Sequence, residues 1–477
     1  MRRLALIITT VAVLGSQVAW SQAWEKFIMP GITYRAEVDP TGPRLIHVIR
    51  FSPGAPGISM RPEVAGLRIF SVPNDKGREE LSSIIKRTGA IGGINADFFP
   101  FTADPLGAMV RAGELMSQPD ARRAVFGWGR GGSAVGKLAW VGGVTLPSNE
   151  RAALTGINEE CQENGLVLFT DSSAFATAKT PCVYVQLSLK ENRWAPTCTR
   201  TGTVVMSYED RDQIEVQPGT AILAGRGANA VMLKKLTTGQ AITIDMQTSG
   251  FDWRLYDQVV GGGPFLLRGG VVAIDAEEEG FREGFYKNRH PRTAIGRAAT
   301  GEVIMAAVDG RQDMSVGCTL QEMASIMTRL GCVDAINLDG GGSTTINLFG
   351  VTLNRPSDGQ ERKIANAILI MGTPKAATDE ELKIEGPSVT QPGKASVYRV
   401  LNSKGVMVQT SEVLWAAQGE GWIDQSGTVQ AMKPGIVAIY AYARGKILKA
   451  SLEIKGPGGQ TGPTATPPTK SPENPGQ

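Results

Sequence analysis

The segment Asn337–Ser343 (NLDGGGS) carries the residue types best suited to chemistry, and it follows the apolar run Val333–Ile336. Three glycines after a carboxylate leave the backbone without Cβ atoms where a strand should end, so a ligand can approach closely. Successive N–H groups there can form an anion-binding concavity. In an alternating strand Asn337 and Asp339 share one face and the apolar side chains the other. The pattern indicates a site; a flexible linker is the alternative, and a linker rarely follows a buried strand.

This segment has a second copy in the chain. A shift of 242 residues aligns Glu80–Asp97 with Glu322–Asp339, and 8 of the 18 positions are identical. Each copy reads as an amphipathic helix, a glycine stop, a short strand and an Asn-x-Asp end. Because both glycines and both Asn-x-Asp ends coincide, we predict a repeated helix–strand unit.

We expect the carboxylates of Asp97 and Asp339 to converge on one cleft. Paired carboxylates suit glycosyl hydrolysis, in which one assists the leaving group or water and the other attacks or stabilises the reacting carbon. The alternative is that each aspartate caps a turn, its commonest use. Asn95 stands beside the first carboxylate, and Phe99 in the following aromatic pair suits a sugar face or the core equally.

Two other stretches are predicted to form walls of the site. Arg292, followed by Thr293, opens a strand, and its planar guanidinium can bind two phosphate oxygens; a surface salt bridge is the alternative. The buried-looking run Val303–Val308 ends in Asp309, again a carboxylate at a strand exit. The glycine run Gly261–Pro264 reads as another close-approach turn or as a plain structural turn.

The sequence lacks the residues that several other classes of site require. With two histidines there is no histidine-rich zinc site and no H-E-x-x-H motif. The phosphate-binding loop of nucleoside triphosphatases and the Gly-x-Ser-x-Gly motif are also missing. The sequence requires no cofactor, although scattered aspartates and asparagines leave room for a single divalent cation.

The 477-residue chain begins with the features of an export signal. Residues 1–23 combine two arginines, an apolar stretch and a small-residue cleavage site, which predicts a secreted, periplasmic or cell-surface protein. No later stretch has 18 apolar residues, so no integral membrane segment is expected after signal removal. The formal charge falls from +3 to about +1 without the two arginines, and such a balance predicts no nucleic-acid partner.

Five cysteines in an exported chain leave one unpaired. Cys182 and Cys198 flank a predicted hairpin and are the candidates for a bridge across it, with pairing to Cys161 left open. Cys318 and Cys332 bracket a predicted helix that separates them by more than the roughly 7 Å a disulfide spans, so we do not pair them.

The predicted fold class is α+β. Residues 24–374 form a mixed-sheet catalytic domain with the repeated helix–strand unit, residues 378–455 a small all-β sandwich, and residues 456–477 a disordered Pro/Gly-rich tail. In the sandwich, the pattern of Trp415, Asp424, Gly427, Val429 and Gly435 resembles bacterial Ig-like domains. The sequence does not determine the oligomeric state.

Taken together, the motifs over roughly residues 30–372 resemble the phosphodiester glycosidase family. The likeness is densest from Arg292 through Asp309 to the segment Asn337–Ser343. It implies removal of a sugar, such as N-acetylglucosamine, from a sugar-1-phosphodiester. The site residues that it carries over are Asn95, Asp97, Arg292, Asp309, Asn337, Asp339, Gly340, Gly341, Gly342 and Ser343.

For an exported chain with an Ig-like module, the implied partner is a sugar-phosphate-containing glycan of the envelope or extracellular space. Two alternatives stay open at this point. One is a non-catalytic glycan-binding protein that uses the same cleft. The other is a metal-dependent phosphodiesterase that cuts P–O rather than C1–O, against which the scarcity of histidine argues.

Overall fold

The computed structural model describes residues 22–456 apart from 41, 71–76, 101, 103, 251, 253 and 254. The predicted export signal and the C-terminal tail lie outside the described residues, except for positions 22, 23 and 456. Of the described residues, strands make up 49% and helices 8%, so the fold is mostly β. The α+β prediction overestimated the helix content, because the two helices of the repeat are short and most of the chain forms short antiparallel strands.

Two sheets build the part of the molecule that carries the predicted site residues. An eight-stranded sheet has the order Gln22–Met29, Ile32–Asp39, Arg44–Phe51, Val303–Val308, Arg292–Ala298, Cys332–Asn337, Phe265–Arg268, Val271–Val272. A five-stranded sheet has the order Val351–Thr352, Ile346–Leu348, Gly92–Asn95, Asn366–Gly372, Ile58–Val64. All neighbours in both sheets are antiparallel, and one apolar core contains residues from both sheets.

The other sheets before residue 374 flank these two. A second five-stranded sheet has the order Glu114–Ser117, Met109–Arg111, Gln258–Gly261, Ala124–Gly129, Gly132–Lys137. An eight-stranded sheet has the order Arg151–Leu154, Ala139–Thr145, Ala241–Ser249, Cys198–Glu209, Val183–Leu189, Thr220–Gly225, Leu166–Phe169, Gly156–Ile157. A pair joins Phe175–Thr177 to Gln213–Glu215.

The repeated helix–strand unit is confirmed. Helix α1 (Leu81–Thr88) ends at Gly89, whose φ of 68° is left-handed, and leads into Gly92–Asn95. The later copy is helix α4 (Leu320–Arg329), with Gly331 at φ 94° and the strand Cys332–Asn337. Each helix buries its apolar face, and each glycine turns the chain where a side chain would be strained.

Helix α4 (Leu320–Arg329) follows two shorter helices, α2 (Ala228–Leu233) and α3 (Glu283–Lys287). It begins with a capping box, in which Thr319 accepts from the Glu322 N–H and Glu322 accepts from the Thr319 N–H. That motif satisfies two backbone donors at the helix start, so the helix holds its length and delivers the following strand in register.

The predicted bridge between Cys182 and Cys198 is wrong. All five cysteines are free thiols. The hairpin forms as predicted, but Val183 pairs with Glu209 at one end and Leu189 with Gly202 at the other. Cys182 and Cys198 therefore lie at opposite ends of the hairpin, because Cys198 belongs to the longer partner strand rather than to the turn.

Beyond residue 374 the chain forms a separate set of strands around its own core. A pair joins Leu382–Glu385 to Arg399–Asn402, four strands follow the order Val389–Thr390, Lys446–Ile454, Gly435–Ala443, Val413–Gly419, and three the order Ala395–Val397, Thr428–Ala431, Gly421–Ile423. Apart from the 3-10 turn Thr410–Glu412, the described elements of this part are all strands, as the sequence predicts. The Ig-like assignment itself stays a prediction.

Candidate active site

The two copies of the repeat meet at their Asn-x-Asp ends. The Asp339 N–H donates to the carbonyl of Ala96 at 2.9 Å. The Asn95 side chain donates to the Asp339 carbonyl at 2.7 Å. Because Ala96 directly precedes Asp97, these bonds hold the backbones of the two aspartates side by side. The structure thus brings together the pair that sequence alone suggested.

Asp97 is 2% exposed, and backbone groups hold its carboxylate. Oδ1 accepts from the Phe98 N–H and Oδ2 from the Gly107 N–H, both at 2.8 Å. Burial raises the pKa of Asp97 to about 7, the charge of Asp339 adds to the increase, and Arg123 and the two N–H donors oppose it. A carboxyl group with that pKa can hold a proton near neutral pH.

Two glycines make room for the Asp97 carboxylate. A Cβ on Gly107 would lie 2.7 Å from Oδ2 of Asp97, and one on Gly261 would lie 2.3 Å from the same oxygen. The run Gly261–Pro264 is therefore a close-approach turn rather than a plain structural turn. The group that it approaches is the carboxylate of Asp97.

Asp339 is 8% exposed and somewhat more open than its partner. Its Oδ1 accepts from the Gly340 N–H at 2.8 Å. Burial raises the pKa of Asp339 to about 6, while the Ser343 hydroxyl beside it and the charges of Arg362 and Arg123 oppose the increase. Burial therefore raises the pKa of both carboxyls above the ordinary range of aspartate.

The side chain of Asn95 joins three segments through its hydrogen bonds. Its Oδ1 accepts from the Thr293 hydroxyl at 2.7 Å and from the Thr345 N–H at 3.1 Å, and its Nδ2 is bound to Asp339. Both Asn95 and Thr293 are buried. The predicted substrate-binding role of these two residues is corrected to a positioning role, because their polar atoms already have protein partners.

Asn337 holds the neighbouring turn. Its Nδ2 donates to the carbonyls of Gly263 at 2.9 Å and Leu338 at 2.7 Å, and its own carbonyl accepts from the Gly263 N–H. Its side chain is fully buried, and its Oδ1 has no hydrogen-bond partner among the described residues.

The three-glycine turn differs from the open anion nest that was predicted. Gly340 donates its N–H to the carboxylate of Asp339, Gly341 to the Pro291 carbonyl at 2.9 Å, and Ser343 to the Gly340 carbonyl at 3.2 Å. These donors are occupied within the protein. The turn orients Asp339 more than it offers N–H groups to a phosphate.

Arginine side chains cover the outer side of this turn, which explains its missing Cβ atoms. A Cβ on Gly342 would lie 2.2 Å from Nη2 of Arg362 and from Oδ2 of Asp358, which form an ion pair at 2.7 Å. A Cβ on Gly341 would lie 3.1 Å from Arg311. The sequence analysis missed both arginines, because they approach from other loops.

Arg292 does not have the predicted free fork. It is fully buried, donates to the carbonyls of Cys318 at 3.1 Å, Asn288 at 3.2 Å and Phe285, and stacks on the Phe285 ring. Burial lowers the pKa of Arg292 to about 10. The side chain anchors the loop around α3, so its assignment as phosphate ligand is corrected.

The two rings of the aromatic pair after Asp97 pack in different places. Phe99 packs against the apolar face of α1, away from the carboxylates. Phe98 instead packs against Phe281 and Phe285, with ring centroids 5.3 and 5.7 Å away. Phe99 is only partly buried against α1, and its contact with substrate stays a prediction.

Asp309 lies in a different cluster from the paired carboxylates. Its oxygens accept from the Asn354 side chain at 3.1 Å and from the Arg355 N–H at 3.0 and 3.1 Å. His47 Nε2 is 3.6 Å from Oδ2. These bonds anchor the Asn354–Arg355 backbone, and the catalytic role of Asp309 stays a prediction.

Replacing Asp309 by Asn should lower stability more than activity. The amide keeps one acceptor oxygen but loses part of the bonding to the Arg355 N–H, at a cost of about 1–3 kcal/mol. Chemical denaturation checks that cost, and turnover per folded molecule should stay within about tenfold of wild type. A loss of a hundredfold or more in a fully folded variant would return Asp309 to the catalytic set.

The C-terminal strands contact the segment that Asp309 anchors. Gln418 donates to the Asn354 carbonyl at 2.8 Å, and the rings of Tyr442 and Phe349 stack 4.1 Å apart. Trp422 and Trp24 add an edge contact at 6.3 Å. This part of the chain is thus packed against the support of the site.

Two further residues with site-supporting roles gave no signal in the sequence. The Asn366 side chain accepts the Asp97 N–H at 2.9 Å. Glu279, fully buried, accepts from the N–H groups of Ala124 and Phe265, each at 2.8 Å. Both act on the backbone of distant segments, so only the tertiary structure reveals them.

Within the described ranges, no three His, Cys, Asp or Glu side chains cluster so that they could hold a metal ion. None of the described helices is long and apolar enough to cross a membrane.

A cavity of about 410 Å³ lies beside the loop that carries Gly107, lined in part by Asp104 and Glu159. Burial raises the pKa of these carboxyls to about 6 and about 7.

Comparison with known families now adds to this geometry. Residues 197–371 match the family model of phosphodiester glycosidases. This part of the chain is similar to phosphodiester glycosidases. The matched range includes Asp339 and the three-glycine turn, whereas Asp97 lies before it.

Relatives of the phosphodiester glycosidase domain match over short stretches. The SPbeta prophage-derived uncharacterized protein YomE of Bacillus subtilis is 40% identical over 82 residues, 17% of this chain and 13% of its own length. The N-acetylglucosamine-1-phosphodiester alpha-N-acetylglucosaminidase of Bos taurus is 34% identical over 110 residues, 21% of each chain. The chain thus spans about a fifth or less of these relatives.

A solved structure shares the fold over a longer range. A candidate exported protein of Burkholderia pseudomallei has a TM-score of 0.62 at 18% identity. The match covers 78% of this chain and all of that one. It shows that the overall fold extends well beyond the residues of the phosphodiester glycosidase match.

Proposed function

We propose that this protein is an exported glycosidase that hydrolyses the C1–O bond of a sugar-1-phosphodiester in an envelope or extracellular glycan. N-acetylglucosamine is the candidate sugar, because the bovine relative's name specifies it. We further propose that residues 24–374 form one catalytic unit, since the Asp97 turn packs directly against the family-matched Asp339 turn.

The observation that carries the proposal is that the two Asn-x-Asp ends meet, so that two buried carboxyls lie on adjoining backbone segments. Burial raises the pKa of Asp97 to about 7 and that of Asp339 to about 6. Two carboxyl groups whose environments separate their pKa values are the usual basis of an acid and base assignment. We therefore assign Asp97 as the proton donor and Asp339 as the carboxylate that acts at C1.

The proposed reaction balances with these two groups and water. Asp339 either attacks C1 or deprotonates the water that does; in both courses the water oxygen ends on C1. The C1–O electron pair leaves with the phosphate, which takes the proton of Asp97. A phosphate monoester is already a weak base, so the proton contributes less than it would to an alkoxide.

This assignment predicts a narrow bell-shaped pH dependence. The value of kcat/KM should rise as pH increases through about 6, where Asp339 ionises, and fall through about 7, where Asp97 loses its proton. The two limits belong to the coupled pair rather than to single residues. Asp97→Asn should remove the alkaline limb; a variant that keeps that limb would contradict the role of Asp97.

Product identification on a panel of sugar-1-phosphodiesters tests the function itself. Release of free sugar together with a phosphate monoester, without added metal, supports the proposal. Sugar-1-phosphate that disappears with a chelator would indicate P–O cleavage instead. Binding without any product would indicate a glycan-binding protein that uses the same cleft.

Export is part of the proposal and has its own test. The likeness in fold to a candidate exported protein supports it. Mass spectrometry of protein recovered from the producing bacterium should show an N-terminus near Trp24, as the cleavage site predicts. A cytoplasmic protein that retains residues 1–23 would contradict it.

A further inference from the structure

Arg123 is a buried arginine with unused hydrogen-bond donors. Arg123 is 8% exposed, and its Nε and Nη1 atoms have no hydrogen-bond partner among the described residues. The ion pair from Nε to Oδ2 of Asp120 is 3.8 Å long, beyond hydrogen-bond range. Buried guanidinium groups normally have their N–H groups satisfied, so spare donors point to an acceptor from outside the protein.

Two aromatic rings fix the position of this guanidinium. Its central carbon lies 5.2 Å from the centroid of Phe98 and 4.8 Å from that of Phe281. Phe98 directly follows Asp97. The planar group is thus held against rings that offer no hydrogen-bond acceptor, while its edge keeps its donors.

The main chain places Arg123 beside the carboxylate pair. Arg123 precedes the strand Ala124–Gly129, and the carbonyl of Ala124 accepts the Gly262 N–H at 3.1 Å. Gly261, the preceding residue, is the one whose Cβ would touch Asp97. The charge of Arg123 also lowers the pKa of both Asp97 and Asp339, as expected for a cation near each.

We propose that Arg123 binds a non-bridging phosphate oxygen of the diester and so determines that the substrate is a phosphodiester rather than a neutral glycoside. This inference rests on the proposed function. A charged, forked donor in a site largely closed to water stabilises the negative charge that grows on the departing phosphate. Arg123 takes the role that the sequence had suggested for Arg292.

Arg123→Gln should affect the two substrate classes differently. On a methyl ester of N-acetylglucosamine-1-phosphate, kcat/KM should fall at least about a hundredfold, the effect expected for losing a charge-assisted bond in the transition state. On the neutral 4-nitrophenyl glycoside of the same sugar the loss should be less than about fivefold. Arg123→Lys keeps the charge without the fork and should fall between wild type and Gln.

Arg122 provides a matched control one residue away. It is exposed and pairs with Asp120 at 2.8 Å, so Arg122→Gln should leave both substrates unchanged. Equal losses on the diester and the neutral glycoside in Arg123→Gln would overturn the proposal, because they would mean that Arg123 is only a counter-ion of the carboxylates.

Inorganic phosphate separates this inference from the proposed function. Wild type should bind phosphate in a 31P NMR titration, and Arg123→Gln should weaken that binding at least tenfold. If wild type releases no sugar but phosphate binding still depends on Arg123, the anion site stands and the glycosidase proposal fails. If wild type binds no phosphate, or both proteins bind it equally, the inference about Arg123 is wrong.

Discussion

Asp339→Asn will lower turnover on a sugar-1-phosphodiester at least about a hundredfold, the range that general acid–base or nucleophilic action contributes. An amide cannot ionise near pH 6 and neither attacks C1 nor takes a proton from water. The variant should stay folded, because the bonds of the backbone N–H and carbonyl are unchanged and the amide Oδ1 can still accept from the Gly340 N–H. Release of free sugar is the measurement.

Asp334→Asn is the matched control for that variant. Asp334 lies in the strand Cys332–Asn337, which precedes Asp339, and forms an ion pair with Arg297 at 2.7 Å. Its loss should reduce stability slightly and leave turnover unchanged within about threefold. Unchanged turnover in folded Asp339→Asn would remove Asp339 from the mechanism.

Gly261→Ala should also reduce turnover about a hundredfold, although the residue carries no reactive group. The new Cβ would lie 2.3 Å from Oδ2 of Asp97 and 3.0 Å from the Gly107 Cα. The carboxylate cannot yield without losing its bonds to the N–H groups of Gly107 and Phe98. A displacement of about 1 Å is enough for such a loss in rate.

Gly54→Ala controls for the substitution, because a Cβ there meets nothing within 4 Å. The double variant with Asp97→Asn gives a sharper check. If Gly261 acts through Asp97, the double variant should be no slower than Asp97→Asn alone. Additive losses would show that Gly261 affects turnover by another route.

The repeated unit could be predicted because its information is local. Amphipathic spacing, a glycine stop and an Asn-x-Asp end are encoded within 18 consecutive residues in each copy. The structure confirms both helices and both strands. Self-comparison of the chain also suggested which two ends belong together, and their backbones do meet.

Side-chain partners were harder to predict than elements. Arg292 and Arg123 are the same residue type, yet one is held by three backbone carbonyls and the other keeps free donors. Phe98 and Phe99 are adjacent, but only the first lies beside the guanidinium. Asp309 and Asp339 each follow a strand, but Asp309 anchors a different loop.

The sequence by itself determined the local pieces: the two helix–strand units, the glycines that follow them and the pairing of Asp97 with Asp339. These follow from periodicity, which acts over a few neighbouring residues. Only the tertiary structure decided which cation stands beside the pair, which glycines the carboxylates need and how far each pKa rises. Those properties depend on burial and on contacts between segments that are not neighbours in the sequence, such as Arg123 with Phe98 and Gly261 with Asp97, which no local pattern encodes.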